Sequence, residues 1–127
     1  MKRISFETTP EFNKDLKKLA KKYRTLHQDL ELLKKATINI YHNLHIDNQS
    51  IFPIQTFCNA EIHSYKIKKF ASKSFKGKGV KTGLRLIYIF IERTRKAILV
   101  EIYYKGEKSN EDLKRLKHYY QEANKNI

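Results

Sequence analysis

The chain has 127 residues with 27 Lys plus Arg against 13 Asp plus Glu, a formal charge of +14. So large an excess opposes compaction unless an anionic partner uses it, so nucleic acid, an acidic protein and an anionic membrane surface are the partners to weigh. No run approaches the roughly 18 apolar residues of a spanning helix, and the opening MKRISFETT lacks the apolar stretch of a signal peptide; the expected placement is cytoplasmic, with no membrane partner. With 40% apolar residues, seven Phe and eight Tyr, residues 1–127 suffice for a single domain with one core. The lone Cys58 excludes an internal disulfide and a multi-cysteine zinc site, and reads as a buried, inert thiol among Phe52, Ile54 and Phe57.

Ile4 to Thr8 alternates apolar and polar residues as a half-buried strand does. Thr9 and Pro10 supply an N-cap and a first-turn proline, so a helix is expected from about Glu11, with Phe12, Leu16, Leu19, Ala20 and Tyr23 on its apolar face. Lys14, Lys17, Lys18, Lys21 and Lys22 take the opposite face, which reads as solvated. After a break near Arg24 and Thr25, a second helix carries Leu26, Leu30, Leu33, Thr37 and Ile40 on one stripe, completing a helical hairpin. His42 and His45 at its end read as surface or capping residues, because no third ligand accompanies them.

Leu44 to Ile62 is punctuated by Asp47, Asn48, Gln49 and Pro53 and reads as an ordered connection at the edge of the core. Three strands are expected next, at His63–Ser72, Gly83–Glu92 and Lys96–Tyr104, the last two at hairpin spacing. Ser109 to Asp112 approximates a capping box and opens a final helix with Leu113, Leu116, Tyr119 and Tyr120, expected to fray before Asn124. The fold class is therefore α+β: a small antiparallel sheet with an N-terminal helical hairpin on one face and a C-terminal helix, the helices expected against one face.

The chemistry concentrates between Ser64 and Phe90. Lys66 and Lys68 lie two residues apart on a strand, hence on one face. Two close ammonium groups depress each other's pKa, which would fit one of them for general-base work. Arg85, in GLRLIYIF, stays protonated and can grip phosphate oxygens bidentately. Lys69, Lys73, Lys76, Lys78 and Lys81 fall in a glycine-containing stretch with no helical stripe to explain them, and are expected to bind RNA phosphates. Phe70 and Phe75 fit either base stacking or core packing. Acidic and histidine residues have no convincing ligand spacing, so neither metal nor cofactor is expected.

The segments YKIKKF, GLRLIY and EIYYKGEKSNED, in this order of elements, resemble the RelE/ParE superfamily of toxins from bacterial type II toxin-antitoxin systems, on the RelE side. The resemblance covers roughly Phe12 to the C terminus and is most specific from Tyr65 to Asp112. It implies a ribosome-dependent messenger RNA endonuclease, metal-independent, that inhibits translation and is neutralised by a cognate acidic antitoxin, often in higher-order complexes. It also implies a catalytic set of Lys66, Lys68 and Arg85, with Lys105 or Lys108 near a further basic position that is commonly arginine, and with His118, Tyr119 or Tyr120, foremost Tyr119, completing the site. The alternatives are a ParE-like inhibitor of DNA gyrase, which needs no RNA-cleaving cluster, and an RNA-binding module without catalysis.

Overall fold

The computed structural model describes residues 3–126; Met1 and Lys2, which open the basic N terminus, and Ile127 lie outside it. The elements are β1 (Ser5–Thr8), α1 (Pro10–Lys22), α2 (Leu26–Leu33), a π-helical segment (Lys34–Ile38), α3 (Asn39–Leu44), β2 (Ile51–Cys58), β3 (Ile62–Ile67), β4 (Leu84–Ile91), β5 (Lys96–Tyr104) and α4 (Leu113–Lys125). The strands form one sheet in the order β1-β5-β4-β3-β2. β2 to β5 are an antiparallel meander, while β1 runs parallel to β5.

The expected α+β class is observed. Thr9 caps α1 as its sequence implies, its Oγ1 accepting from the Phe12 N–H at 3.1 Å. α2, the π segment and α3 make one continuous helical arm, which ends where His45 turns left-handed at φ 56°. Three expectations are corrected. The Leu44–Ile62 connection contains a strand, β2, hidden because Pro53 and a register shift between Pro53 and Cys58 interrupt its pattern; both are tolerated at a sheet edge, where a backbone donor is dispensable. The sheet is mixed rather than purely antiparallel. The last helix starts at Leu113 and runs to Lys125, capped by Asp112, whose carboxylate accepts from the Arg115 N–H at 3.1 Å, so the Ser109 capping box does not form.

α4 also lies on the other side of the sheet from the N-terminal helices. Leu84, Leu86, Tyr88 and Phe90 of β4 point into the cluster under α1 and α2, with Phe12, Leu26, Leu30 and Ile38. The alternate residues Ile87 and Ile89 point into a second cluster with Ile62, Val100, Leu116 and Ala123. β4 is therefore buried on both faces, which explains its near-continuous apolar sequence. α4 is the shorter cover: it reaches from Arg115, whose Nη1 pairs with Asp15 at 2.7 Å, towards the β2–β3 turn, where Asn59 Nδ2 donates to Asn124 Oδ1 at 2.8 Å. The opposite end of that sheet face is left to polar side chains. Cys58 is only half-buried, its Sγ 3.3 Å from the Ile54 carbonyl in the irregular part of β2.

His42 is buried, not on the surface: its Nε2 lies 2.9 Å from the Tyr88 hydroxyl and its ring stacks on Phe90 at 3.8 Å. Burial above all, then the Arg95 guanidinium, depresses its pKa to about 3. The unfolded chain takes up this proton near pH 6.5, so stability is lost as pH falls from 6.5 towards 3. Between pH 7 and 4.5 the expected loss from this residue is about 2–3 kcal/mol. Urea unfolding of wild type and His42→Gln at both pH values checks it; the variant should lack that share of the acid sensitivity.

Candidate nucleic-acid interface

The alternation that buries Ile87 and Ile89 against α4 places Arg85 on the same face, beyond the reach of the helix. On β3 the same parity groups Ile62, Ser64 and Lys66, and on β5 it adds Tyr103. Arg85 is the cross-strand partner of Tyr103, and Lys66 of Ile87. Lys66 and Arg85 are thus diagonal neighbours, about 7–8 Å apart at the backbone, within reach of one phosphodiester. Lys68 follows just past the end of β3, its N–H donating to the Ser50 carbonyl at 2.9 Å.

Arg85 is half-buried. Its Nη1 donates to the carbonyls of Lys68 at 3.0 Å and Leu84 at 3.2 Å, while its Nη2 and Nε meet no protein acceptor among the described residues. Two anchored contacts fix the guanidinium plane, and its unused edge can meet an anion in the bidentate geometry that phosphate favours. Lys68 is exposed, with its Nζ 4.7 Å from the centre of the Phe52 ring, so β2 supplies a platform for this lysine.

Lys66 differs from its sequence reading. Its near partner is Glu111, at 2.8 Å in the turn before α4, and not Lys68. Partial burial pushes the ammonium down, but the bonds to Glu111 and Tyr103 outweigh it and hold Lys66 above the ordinary lysine value. Lys66 is thus a cation at neutral pH and not a base. Glu111 shows the mirror image: burial raises it, and the Lys66 ammonium more than compensates, keeping the carboxylate below its usual range. The Tyr103 hydroxyl lies 3.4 Å from the same carboxylate oxygen, its own pKa raised, chiefly by burial. Neither Glu111 nor Tyr103 was singled out from sequence; the signal for Tyr103 is its position opposite Arg85, and the charged run around Glu111 looked like a helix start.

Of the two lysines weighed after β5, Lys108 pairs with the buried Glu101 carboxylate and lies over the Tyr103 ring at 5.7 Å, whereas Lys105 is exposed and has no ion-pair partner among the described residues. Glu101 also accepts from the Asp112 N–H at 2.8 Å, so it ties the turn to β5. Tyr119 is not brought to this cluster. Its hydroxyl bonds to Glu11, and it lines a cleft with Ile91, Arg93 and Ile98 at the far end of β4. Ile91 lies six residues beyond Arg85, roughly 20 Å along the strand. His118 packs edge-on to Tyr119, and Tyr120 packs near Phe57, so both also lie on the α4 side of that end.

The basic loop between β3 and β4 leaves the sheet at the Lys66–Arg85 end. Lys69, Lys73, Lys76, Lys78 and Lys81 are all exposed, and none has an ion-pair partner among the described residues. The base of the loop is pinned to α2 by the buried Asp29, which accepts from Ser72 Oγ at 2.5 Å, Thr25 Oγ1 at 2.7 Å and the Lys73 N–H at 3.3 Å. Phe70 is fully buried in the core and Phe75 stacks on Tyr23 at 4.5 Å, so both aromatic rings pack the loop rather than offer themselves to bases. Its tip turns through left-handed Gly77 and Gly79, at φ 76° and 57°, a conformation glycine adopts without steric cost. The cleft between α1 and β5, about 340 Å³, sets Asp15, Glu101 and Glu107 against Lys18 and Lys108, one more acid than base and so unlike the basic loop. Among the described residues no group of three or more His, Cys, Asp or Glu could hold a metal ion, and no helix is long and apolar enough to cross a membrane.

No family model matches the sequence, and no curated protein matches it. Two solved structures are similar in fold. A chain of the crystal structure of an archaeal RelE-RelB complex from Pyrococcus horikoshii is 12% identical, with a TM-score of 0.49 over 81% of this chain and 96% of that one. The solution structure of a conserved hypothetical protein from Helicobacter pylori is 21% identical, with a TM-score of 0.47 over 83% of this chain and 98% of that one.

Proposed function

We propose that this chain is the toxin of a type II toxin-antitoxin pair, a RelE-like endonuclease that cuts messenger RNA on the ribosome without a metal ion and is silenced by an acidic antitoxin. The observation that carries the reading is Arg85: a guanidinium anchored on one side, open on the other, diagonal to Lys66 and continuous with five loop lysines that have no ion-pair partner among the described residues. Internal cleavage of RNA turns a phosphate into a dianionic phosphorane, and fixed cations that meet the extra charge lower its barrier. Arg85 is placed to take two oxygens of that phosphorane. Lys66 adds a second ammonium donor, its charge partly offset by the Glu111 carboxylate at 2.8 Å. Lys68, Lys105 and the loop lysines hold the flanking phosphates and make binding salt-dependent. The remaining excess of +14 suits an acidic, wrapping partner, which would mask the same surface. The domain acts in the cytoplasm, where ribosomes and messenger RNA are its partners.

The test is cell-free translation with purified protein and primer extension to map messenger RNA ends. Wild type should generate new ends in codon register only when ribosomes are present. Lys66→Ala/Lys68→Ala should reduce their rate at least about 100-fold, the scale of losing charge stabilisation at a reacting phosphate. Intact messenger RNA with wild-type protein would overturn the endonuclease reading and turn attention to gyrase.

A further inference from the structure

We infer that Glu111 is the general base of this site, taking the proton from the attacking 2′-hydroxyl, with Lys66 as its paired acid. The inference rests on the endonuclease reading and adds to it the one function the cations cannot perform. Cleavage by the neighbouring 2′-oxygen needs a proton acceptor beside the phosphate. Arg85 has none to offer. Lys66 is held protonated by Glu111. The Glu101 carboxylate is spent: it is buried, paired with Lys108 and bonded to the Asp112 N–H. Tyr103, with its pKa raised, keeps its proton. Among the described residues, Glu111 alone on this face couples an ionised carboxylate to partial exposure, its side chain 15% accessible, at the rim where Tyr103 and Lys66 meet.

The step balances. The 2′-oxygen loses its proton to the free oxygen of Glu111 and forms a bond to phosphorus, while the bond from phosphorus to the 5′-oxygen breaks. The Lys66 ammonium gives its proton to the departing 5′-oxygen, and the products are a 2′,3′-cyclic phosphate and a 5′-hydroxyl. Glu111, now protonated, sits 2.8 Å from the neutral amine and returns the proton, so the pair resets without an outside buffer. The close ion pair is then a proton relay rather than a lost charge. Side by side at the end of β3 and in the segment before α4, the two groups can face one edge of a phosphodiester held by Arg85.

The experiment is single-turnover cleavage of messenger RNA on programmed ribosomes from pH 6 to 8.5, with ribosome co-sedimentation as the binding readout. Wild type should cut at a rate flat across this range, since Glu111 stays ionised and Lys66 protonated throughout. Glu111→Gln, which keeps an acceptor for Lys66, should sediment with ribosomes as well as wild type yet cut about 100- to 10,000-fold more slowly at pH 7. Its residual rate should climb about tenfold per pH unit, as hydroxide replaces the missing base. Glu111→Asp should recover part of the rate and the flat profile. A Glu111→Gln rate equal to wild type overturns the inference. So does a slow Glu111→Gln whose profile stays flat, which would mean that Glu111 only positions Lys66. Wild-type protein that binds ribosomes and leaves the message whole overturns instead the reading on which the inference stands.

Discussion

Arg85→Ala should lower messenger RNA cleavage about 100- to 1,000-fold, the cost of removing one preorganised donor from a developing oxyanion. The side chain is half-buried and its protein contacts are two backbone carbonyls on the rim, so the fold should survive its removal. Those carbonyls return to solvent and can bond to water, which keeps the structural cost small. Primer extension on the same message measures the rate, and ribosome co-sedimentation separates cleavage from binding. Arg85→Lys restores the charge without the fork and should recover little, because a compact ammonium cannot span two phosphate oxygens. Full activity in Arg85→Ala would remove the basis for any phosphoryl chemistry at this end of the sheet. Lost cleavage with intact ribosome binding separates an enzyme from a module that merely coats RNA.

Phe70→Ala should cost about 3–5 kcal/mol of stability, the range for deleting a fully buried phenylalanine. At this chain length that is roughly 10–20 °C in Tm. The residue lies where the basic loop departs, and its carbonyl accepts from Thr82 Oγ1 at 2.6 Å, which in turn accepts from the Leu84 N–H at 3.0 Å. One residue therefore holds both ends of a loop that carries five exposed lysines, its ring in the core and its carbonyl on Thr82. Thermal unfolding checks the number. If Phe70 instead stacked on a base, the variant would keep its Tm and lose only RNA affinity; the buried ring predicts the reverse order of effects.

What the sequence made legible is what local chemistry decides. Thr9 and Pro10 start α1 where expected, since a cap and a proline act within one turn. β5 occupies Lys96–Tyr104 as read, since its β-branched and aromatic residues meet neighbours on both faces. Alternation along β3 gave Lys66 its parity, but that Arg85 shares its face comes from the register of β3 with β4. What stayed hidden depends on distant contacts. Pro53 reads as punctuation until one knows that its strand is the sheet edge. The π segment has no breaker to announce it, because Lys34–Ile38 is ordinary helical sequence. His42 looked like a surface residue because nothing nearby tells that Tyr88, 46 residues on, offers a hydroxyl. Glu111 was read as part of a helix start, and its meaning comes from Lys66, 45 residues earlier. Tyr119 was placed by analogy at the site, and the path of α4 carries it to Glu11 at the other end.

The parallel pairing of β1 with β5 sets the order in which the chain can mature. The partner of β1 is the last strand of the sheet in chain order, and the Thr9 hydroxyl that caps α1 also reaches the Val100 carbonyl, 91 residues on. Closing a loop of that length costs about 4 kcal/mol of chain entropy before any contact repays it. The meander β2 to β5 needs only short closures, so it is the natural nucleus, and β1 with α1 must dock afterwards. A nascent chain consequently carries an unsealed sheet edge until β5 has been made. Its rate of maturation should be governed by this late docking rather than by the strands that bear Lys66 and Arg85.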